Sequence, residues 1–336
     1  LSDGRKTRCS NEHLWTYYTS KGNFKTITLQ EMINSGLRNS SGFKYKIPVH
    51  QKIEYDEKNY AIDPYVIGVF LGDGCCLEKQ LTLSSMDEEI VNEVARLSDT
   101  IPKRNHEKNY NWSFMYKEPY FNKKTGRYNN FVHTEIFFQN AKEVIGSSYT
   151  KRIPEEYKKG SSKQRLALLQ GILDTDGSIS YSGGRYNIKY SSVNKELTYD
   201  VSEVLWSLGY ANRIRIDNRS KKYKGGCAYD MSINIPNDEK HKLFRVSRKK
   251  NLALKAKGVY KRRFYDRVSI VKIEKNNYKE KMTCIKVDNS ENLYLTNDYI
   301  VTHNTSIINY FIENNDLIDK TRFVTFTGKA SLVLRN

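Results

Sequence analysis

The chain has 336 residues with a hydrophobic fraction of 38%, which is long enough for two domains and apolar enough for packed cores, and so excludes a disordered polyelectrolyte. Lys and Arg outnumber Asp and Glu 56 to 38, a net charge of +18 that calls for a polyanionic partner. No apolar run is long enough to span a bilayer, and the basic stretches are studded with Tyr rather than forming one amphipathic helix, so nucleic acid is favoured over a membrane surface.

The chain opens with "LSDGRKTRCSNEHLW", where Asp3-Gly4 reads as a hairpin turn between two short strands. There is no initiator Met or signal peptide, and the expectation is that an N-terminal segment precedes Leu1. Short strand-like stretches continue to about residue 52. From Pro64, "PYVIGVFLGDGCC" reads as an apolar helix ending in Asp-Gly, and "LALLQGILDTDGSIS" from Leu166 repeats that pattern. Each is followed by a β-rich stretch and a second helix-like segment, which marks an internal duplication. Residues 267–304 return to short strands and end in a hairpin with its turn at Thr296-Asn297-Asp298, closing on His303-Asn304. At Thr305-Ser306 the pattern switches abruptly to helical spacing, with Ile307, Ile308, Phe311 and Ile312 apolar. The five cysteines, Cys9, Cys75, Cys76, Cys227 and Cys284, are odd in number and lack C-x-x-C or His-paired spacing, so neither a disulfide framework nor a zinc site is expected and the setting is intracellular and cytoplasmic.

The simplest architecture is a β-rich domain, residues 1–52 and 267–304, interrupted by an α/β domain over 53–266. That inner domain has two pseudo-symmetric halves, about 60–150 and 151–266, and residues 305–336 form a separate α/β piece.

Gly68 and Gly72 lie four apart in the first motif, as do Gly171 and Thr175 in the second. Small residues at this spacing let two helix backbones approach closely and bring their C-terminal ends together, and with them Asp73 and Asp176. Converging carboxylates at the negative ends of two helix dipoles repel, and a hard divalent cation such as Mg²⁺, completed by carbonyls, water and phosphate, offsets that repulsion. A single Asp-Gly reads as a helix cap with a solvated Asp; two occurrences, each behind a small-residue helix, favour the metal.

"VIGVFLGDG" and "LQGILDTDG" resemble the paired motifs of single-chain LAGLIDADG homing endonucleases. "KRIPEEY" at Lys151–Tyr157 is similar to the Lys-x-Ile-Pro element of intein-borne members, and the stretch from Ile188 to Ile214 is similar to the strand and helix that follow. The resemblance covers about residues 60–265. It implies a monomer with pseudo-two-fold symmetry, a β-sheet saddle over the major groove of double-stranded DNA, Asp73 and Asp176 as metal ligands, and Lys151 near the scissile phosphate. Leu71 stands where the family often has Asp. The basic, aromatic-rich runs at 116–131 and 247–264 are the expected DNA surface, through Lys117, Lys123, Lys124, Arg127, Arg248, Lys249, Lys250, Lys261, Arg262 and Arg263.

Such endonucleases are often nested in inteins, and the flanks resemble an intein splicing (Hint) domain. "SNEH" at Ser10–His13 is similar to the Thr-x-x-His block, with Ser in place of Thr, and "DYIVTHN" before Thr305 is similar to the C-terminal block. The resemblance implies that Ser10 and His13 polarise the N-terminal scissile peptide and that Thr305 holds the upstream segment as an ester. The Asn304 amide then attacks its own carbonyl while His303 donates a hydrogen bond or a proton. Trp15, Cys284 and Thr302 match the Trp/Cys/Thr signature of class 3 inteins, in which the internal Cys is the first nucleophile. Residues 305–336 resemble the end of a Walker A loop and the "PTGKAA"-like element of a RecD-like superfamily-one helicase, so the partners implied are flanking extein segments of an ATP-dependent helicase. "FTGKAS" itself lacks phosphate-loop spacing. The alternatives are a stand-alone LAGLIDADG endonuclease and a catalytically decayed DNA-binding module.

Overall fold

The computed structural model describes residues 1–76, 79–107, 109–122, 126–218, 227–256, 267–276, 285 and 287–304. The chain divides into two compact units, one of Leu1–His50 with Arg263–Asn336, the other of Gln51–Arg262.

The first unit opens without the expected strands around Asp3-Gly4. A turn is present, with the Gly4 N–H on the Leu1 carbonyl at 3.1 Å, but the flanking residues are irregular. The Arg5 guanidinium explains this: it holds Asp3 and the carbonyls of Asp298 and Tyr299, so side-chain bonds replace a ladder. Strands β1 (Leu14–Tyr18) and β2 (Phe24–Thr28) pair antiparallel, with Trp15 opposite Ile27. Helix α1 (Leu29–Ser35) starts on a reciprocal cap in which the Thr28 hydroxyl accepts from the Glu31 N–H and Glu31 reaches back to the Thr28 N–H. Short strands β3 (Arg38–Asn39), β4 (Gly42–Phe43) and β5 (Lys46–Pro48) follow.

The second unit repeats one α-β-β-α-β-β order twice. Helix α2 (Pro64–Gly72) is capped by the Asp63 carboxylate on the Tyr65 N–H and carries Pro at its first position; its residues Pro64 to Leu71 are all buried. Strands β6 (Gly74–Cys75) and β7 (Thr82–Ser84), helix α3 (Glu88–Leu97), and strands β8 (Thr100–Arg104), β9 (Asn111–Asn122) and β10 (Arg127–Phe131) complete the first half. The short helices α4 (Thr134–Phe137) and α5 (Glu155–Lys158) lead to α6 (Ser162–Thr175), which begins on a Ser161/Gln164 capping box. Strands β11 (Gly177–Ser182) and β12 (Arg185–Ser192), helix α7 (Lys195–Ser207), strands β13 (Ala211–Asp217) and β14 (Ala228–Asn234), and helix α8 (Ser247–Leu254) form the second.

The two sheets share one strand order. The second runs β11-β12-β14-β13, and the first matches it as β6-β7-β9-β8, with β10 added on the far stretch of the long β9. Each sheet buries one face: Leu83 and Phe114 in the first, Ile188, Tyr190, Met231 and Ile233 in the second, all in one core with α2 and α6.

Strand β15 (Arg267–Ser269) returns to the first unit beside β5. Strands β16 (Leu293–Leu295) and β17 (Val301–His303) form the expected terminal hairpin, with Leu293 opposite His303. Its turn is a single 3₁₀ turn, Asn297–Tyr299, in which Asp298 and Tyr299 take positive φ of 59° and 55°. Trp15, Ile27, Met32, Tyr45, Ile47, Val268, Ile270 and Ile300 make this unit's core.

Candidate active site

Helices α2 and α6 touch along the small residues that the two motifs share. A Cβ on Gly68 would strike the Leu168 carbonyl oxygen and lie 3.0 Å from the Gly171 Cα; one on Gly171 would strike the Tyr65 carbonyl oxygen. At the C-terminal end, a Cβ on Gly72 would meet the Thr175 side chain and come within 3.4 Å of the Asp176 carboxylate. Backbone contact at this range is open only to residues without side chains, which is why the spacing of four matters.

Asp73 and Asp176 are the residues that end these helices. Asp73 donates its N–H to the Val69 carbonyl and Asp176 to that of Ile172, at φ/ψ of −89°/5° and −84°/−9°. Enclosure by surrounding protein raises the Asp73 carboxyl, against the pull of Lys249 and Lys151. Burial first and the charge of Asp73 second push Asp176 up to about 7. The pair resists holding two negative charges. Among the described residues no group of three or more His, Cys, Asp or Glu that could hold a metal ion converges.

Two lysines complete the site, and they are symmetry mates. Lys151 is buried, its Nζ donating to the carbonyls of Phe70 at 2.7 Å and Gly74 at 2.5 Å. Lys249 is buried, its Nζ donating to Leu173 at 2.8 Å, Asp174 at 2.6 Å and Gly177 at 2.6 Å, with Thr175 at 3.2 Å. Phe70 and Leu173 each precede the terminal Asp by three residues, and Gly74 and Gly177 each follow it by one. Each ammonium thus closes the carbonyls a helix end leaves unpaired and offsets the negative end of its dipole. Burial lowers Lys151, and burial followed by Arg248 pulls Lys249 to about 8.

Lys249 therefore corrects the sequence reading, which placed it on the DNA surface: α8 turns that side chain inward while Arg248 and Lys250 stay exposed on either side. The exposed Arg248 fork is engaged by Asp87, and Lys117 pairs with Asp99. Arg127 lies in β10. Lys123, Lys124, Lys261, Arg262, Arg263, Cys284 and Thr305 lie outside the described residues.

The outward face of the second sheet carries charges that the search for basic runs passed over. Lys189, Ser232 and Arg213 sit side by side in register, and Ser191, Asp230 and Arg215 form the next row. Lys189, Arg213 and Arg215 are exposed while Ile188, Tyr190, Met231 and Ile233 point to the core. The signal was alternation in "NIKYSS" and "NRIRID", spread over separate strands.

In the first unit, a second cluster gathers at the end of β17. The His13 Nε2 and the Thr302 hydroxyl are hydrogen-bonded, and the His13 ring meets Trp15 edge-on at 5.4 Å. Burial and then the neighbouring His303 lower His13. His303 Nδ1 lies 2.5 Å from the Asn304 carbonyl oxygen; a carbonyl only accepts, so the ring donates. The Asn304 N–H bonds the Asn292 carbonyl at 2.8 Å, and its Oδ1 is buried with no partner among the described residues. Ser10 is exposed, its carbonyl accepting from the His13 N–H at 3.2 Å.

Among the described residues no helix is long and apolar enough to cross a membrane. Comparison with known proteins finds 25% identity to the replicative DNA helicase DnaB of Mycobacterium intracellulare, covering 94% of this chain and 46% of that protein. A DNA polymerase of Thermococcus sp. (strain GE8) is 28% identical over 47% of this chain and 9% of its own length. A DNA polymerase of Thermococcus hydrothermalis is 30% identical over 28% of this chain and 6% of its own. The chain thus spans about half the length of the helicase and under a tenth of either polymerase. Among solved structures, I-DmoI in complex with DNA and Mn gives a TM-score of 0.32 at 13% identity, covering 51% of this chain and 88% of that one. The N-terminal LAGLIDADG domain of DUF199/WhiA gives 0.30 at 10%, covering 62% and 89%. The model of the LAGLIDADG-like domain matches residues 163–276, the stretch that holds α6, its Asp-Gly end and the antiparallel sheet behind it. Over residues 163–276 this chain is similar to the LAGLIDADG-like domain family.

Proposed function

We propose that the Gln51–Arg262 unit is a site-specific, divalent-cation-dependent DNA endonuclease carried inside a self-splicing insert of a helicase-like host. The observation that carries the nuclease reading is the meeting of Asp73 and Asp176 at the touching ends of α2 and α6. Two carboxylates that resist joint ionisation, next to backbone carbonyls, suit a hard cation that leaves room for phosphate oxygens, and Mg²⁺ bound there would supply charge neutralisation at the scissile phosphate. The residues of this chain do the rest. Lys151 and Lys249 hold positive charge against both helix ends, and Lys189, Arg213 and Arg215 set phosphates along the sheet. The test is nicking of supercoiled plasmid in Mg²⁺ or Mn²⁺. Asp73→Asn or Asp176→Asn should abolish nicking with DNA retention unchanged on gel shift; loss of both together would make the carboxylates structural.

A second activity, splicing, is favoured by the His303 bond to the carbonyl that Asn304 would attack. Donation there polarises the carbonyl, while the Asn304 amide closes a succinimide and the peptide bond to residue 305 breaks. The His13–Thr302 bond ties the block expected to act at the upstream junction to the strand that ends at the downstream one. Ser10 is proposed to assist there, with Cys284 as first nucleophile, Trp15 beside it and Thr305 as the acceptor. Likeness to a helicase over 94% of this chain and to small fractions of two polymerases is what a mobile insert would leave, and the first of these supports a helicase host. The finer RecD-like assignment rests on residues 305–336. Mass spectrometry should show slow release of the 305–336 segment from this chain, stopped by Asn304→Ala and slowed by His303→Ala. Release from the Asn304→Ala chain would exclude cyclisation.

A further inference from the structure

The two halves build their terminal lysines differently, and the difference lies two residues before each terminal Asp. In α2 that position is Leu71, buried among apolar neighbours. In α6 it is Asp174, only 1% exposed, and its carboxylate accepts the Tyr65 hydroxyl of α2 at 3.0 Å and the backbone N–H groups of Arg245 and Val246 at 3.1 and 3.3 Å. Val246 is the N-cap of α8. The Arg245 side chain is fixed in turn by Gln170 at 2.7 Å, by Glu93 at 2.8 Å and by stacking 4.2 Å over the Tyr65 ring. One turn along α8 from this anchored start, Lys249 reaches the end of α6. Lys151 is held without help from residue 71: its own carbonyl accepts the Asn194 side-chain N–H at 2.8 Å, its N–H bonds the Ser147 carbonyl at 3.3 Å, and a different buried carboxylate, Asp200, accepts the Arg152 guanidinium at 2.7 Å and the Ile153 N–H at 3.1 Å.

We propose that Asp174 is a positioning residue that anchors the start of α8 and so seats Lys249, making the cut that Lys249 serves conditional on a carboxylate on which Lys151 does not depend, while both cuts share the Asp73–Asp176 pair. Resting on the endonuclease reading, the consequence is that one DNA strand is cut only while Asp174 holds α8 in place, and the other strand is cut regardless. Loss of Asp174 should convert a double-strand cutter into a nickase.

The experiment uses the whole chain, Mg²⁺, and a supercoiled plasmid bearing a target selected from a plasmid library with the unaltered chain. Asp174→Leu, which copies the first half, should lower linear product at least tenfold while nicked circles accumulate. Asp174→Asn, which keeps an oxygen for the two backbone donors, should recover part of the linear product. Lys249→Met should match Asp174→Leu, and combining the two should do no further harm, whereas Lys151→Met with Asp174→Leu should remove nicking as well. Linear and nicked products falling in step in both Asp174 variants would overturn the proposal. A readout independent of DNA separates this from failure of the endonuclease reading: acetylation of lysines followed by peptide mass spectrometry. Lys249 should be protected in the unaltered chain relative to Lys250 and should label at least fivefold faster in Asp174→Asn or Asp174→Leu, with Lys151 unchanged. Unchanged Lys249 labelling would sink the positioning role even if the plasmid is cut; faster labelling with no cutting by any form would leave the positioning standing and remove the endonuclease.

Discussion

The ends of α2 and α6 present the same backbone to the same kind of site and fill it with different chemistry. Around Asp73 the neighbours at equivalent positions are Leu71 and Leu83, the latter opposite Gly74; around Asp176 they are Asp174 and Tyr190, the latter opposite Gly177. Lys151 comes from an irregular segment and meets two carbonyls, while Lys249 comes from a helix and meets four. Pseudo-symmetry is thus held by the features that fix helix approach and helix ending, and relaxed wherever only packing has to be satisfied. The buried Asp174 carboxylate is tolerable because Tyr65, Arg245 and Val246 donate to it; Leu71 on the other side needs no such partners.

The comparison is broken most severely at the helix contact. Gly68→Ala and Gly171→Ala each drive a methyl into a backbone carbonyl of the opposite helix, and should lower the stability of the Gln51–Arg262 unit by about 3 kcal/mol or more by urea unfolding. Gly72→Ala meets the Thr175 hydroxyl, which can rotate away, and the Thr175 Cβ at 2.8 Å, which needs a small helix shift, and should cost less, about 1–2 kcal/mol. Equal losses at Gly68, Gly171 and Gly72 would mean that the close approach does not depend on where along the helices it occurs.

Next in size come the lysines. Lys249→Met strands more buried carbonyls than Lys151→Met and should be the more destabilising, by about 1–3 kcal/mol against about 1 kcal/mol. A reversed order would show that α8 relaxes away from α6 once its lysine is gone.

Asp73→Asn should act in the opposite direction. It removes one of two repelling carboxylates, so the midpoint of thermal unfolding should rise while cleavage is lost. A fall in stability would place a structural bond on Asp73 that outweighs the repulsion.

The smallest effects belong to the exposed charges and sharpen the contrast between inward and outward basic residues. Lys189→Ala, Arg213→Ala and Arg215→Ala should each leave stability within about 0.5 kcal/mol and reduce the slope of log affinity against log salt by about 1. Arg248→Ala, whose fork already faces Asp87, should change that slope less.

Local chemistry makes certain features legible from sequence alone. Asp63-Pro64, Ser161 with Gln164, and Thr28 with Glu31 begin helices through side chains that satisfy backbone N–H groups within a few residues, a local signal that the sequence reading left unused. Paired small residues before Asp-Gly announce a close helix contact, because only the absence of a Cβ allows it. The alternation up to His303-Asn304 announces a hairpin whose last residues fall together. Each of these is a relation across four or five residues, or a repeat of one.

Tertiary structure alone decided the rest, since its causes lie far apart in the chain. Lys249 sits in a run of basic residues that any reading by charge assigns to the surface, and only the docking of α8 against the end of α6 turns it inward. Asp174 reads as one more polar residue near a helix end until Tyr65, Arg245 and Val246 converge on it from positions 109, 71 and 72 residues away. Lys189, Arg213 and Arg215 become one surface only when β12, β14 and β13 pair in register, because a strand shows a single face through every second residue and needs its neighbours to make a patch.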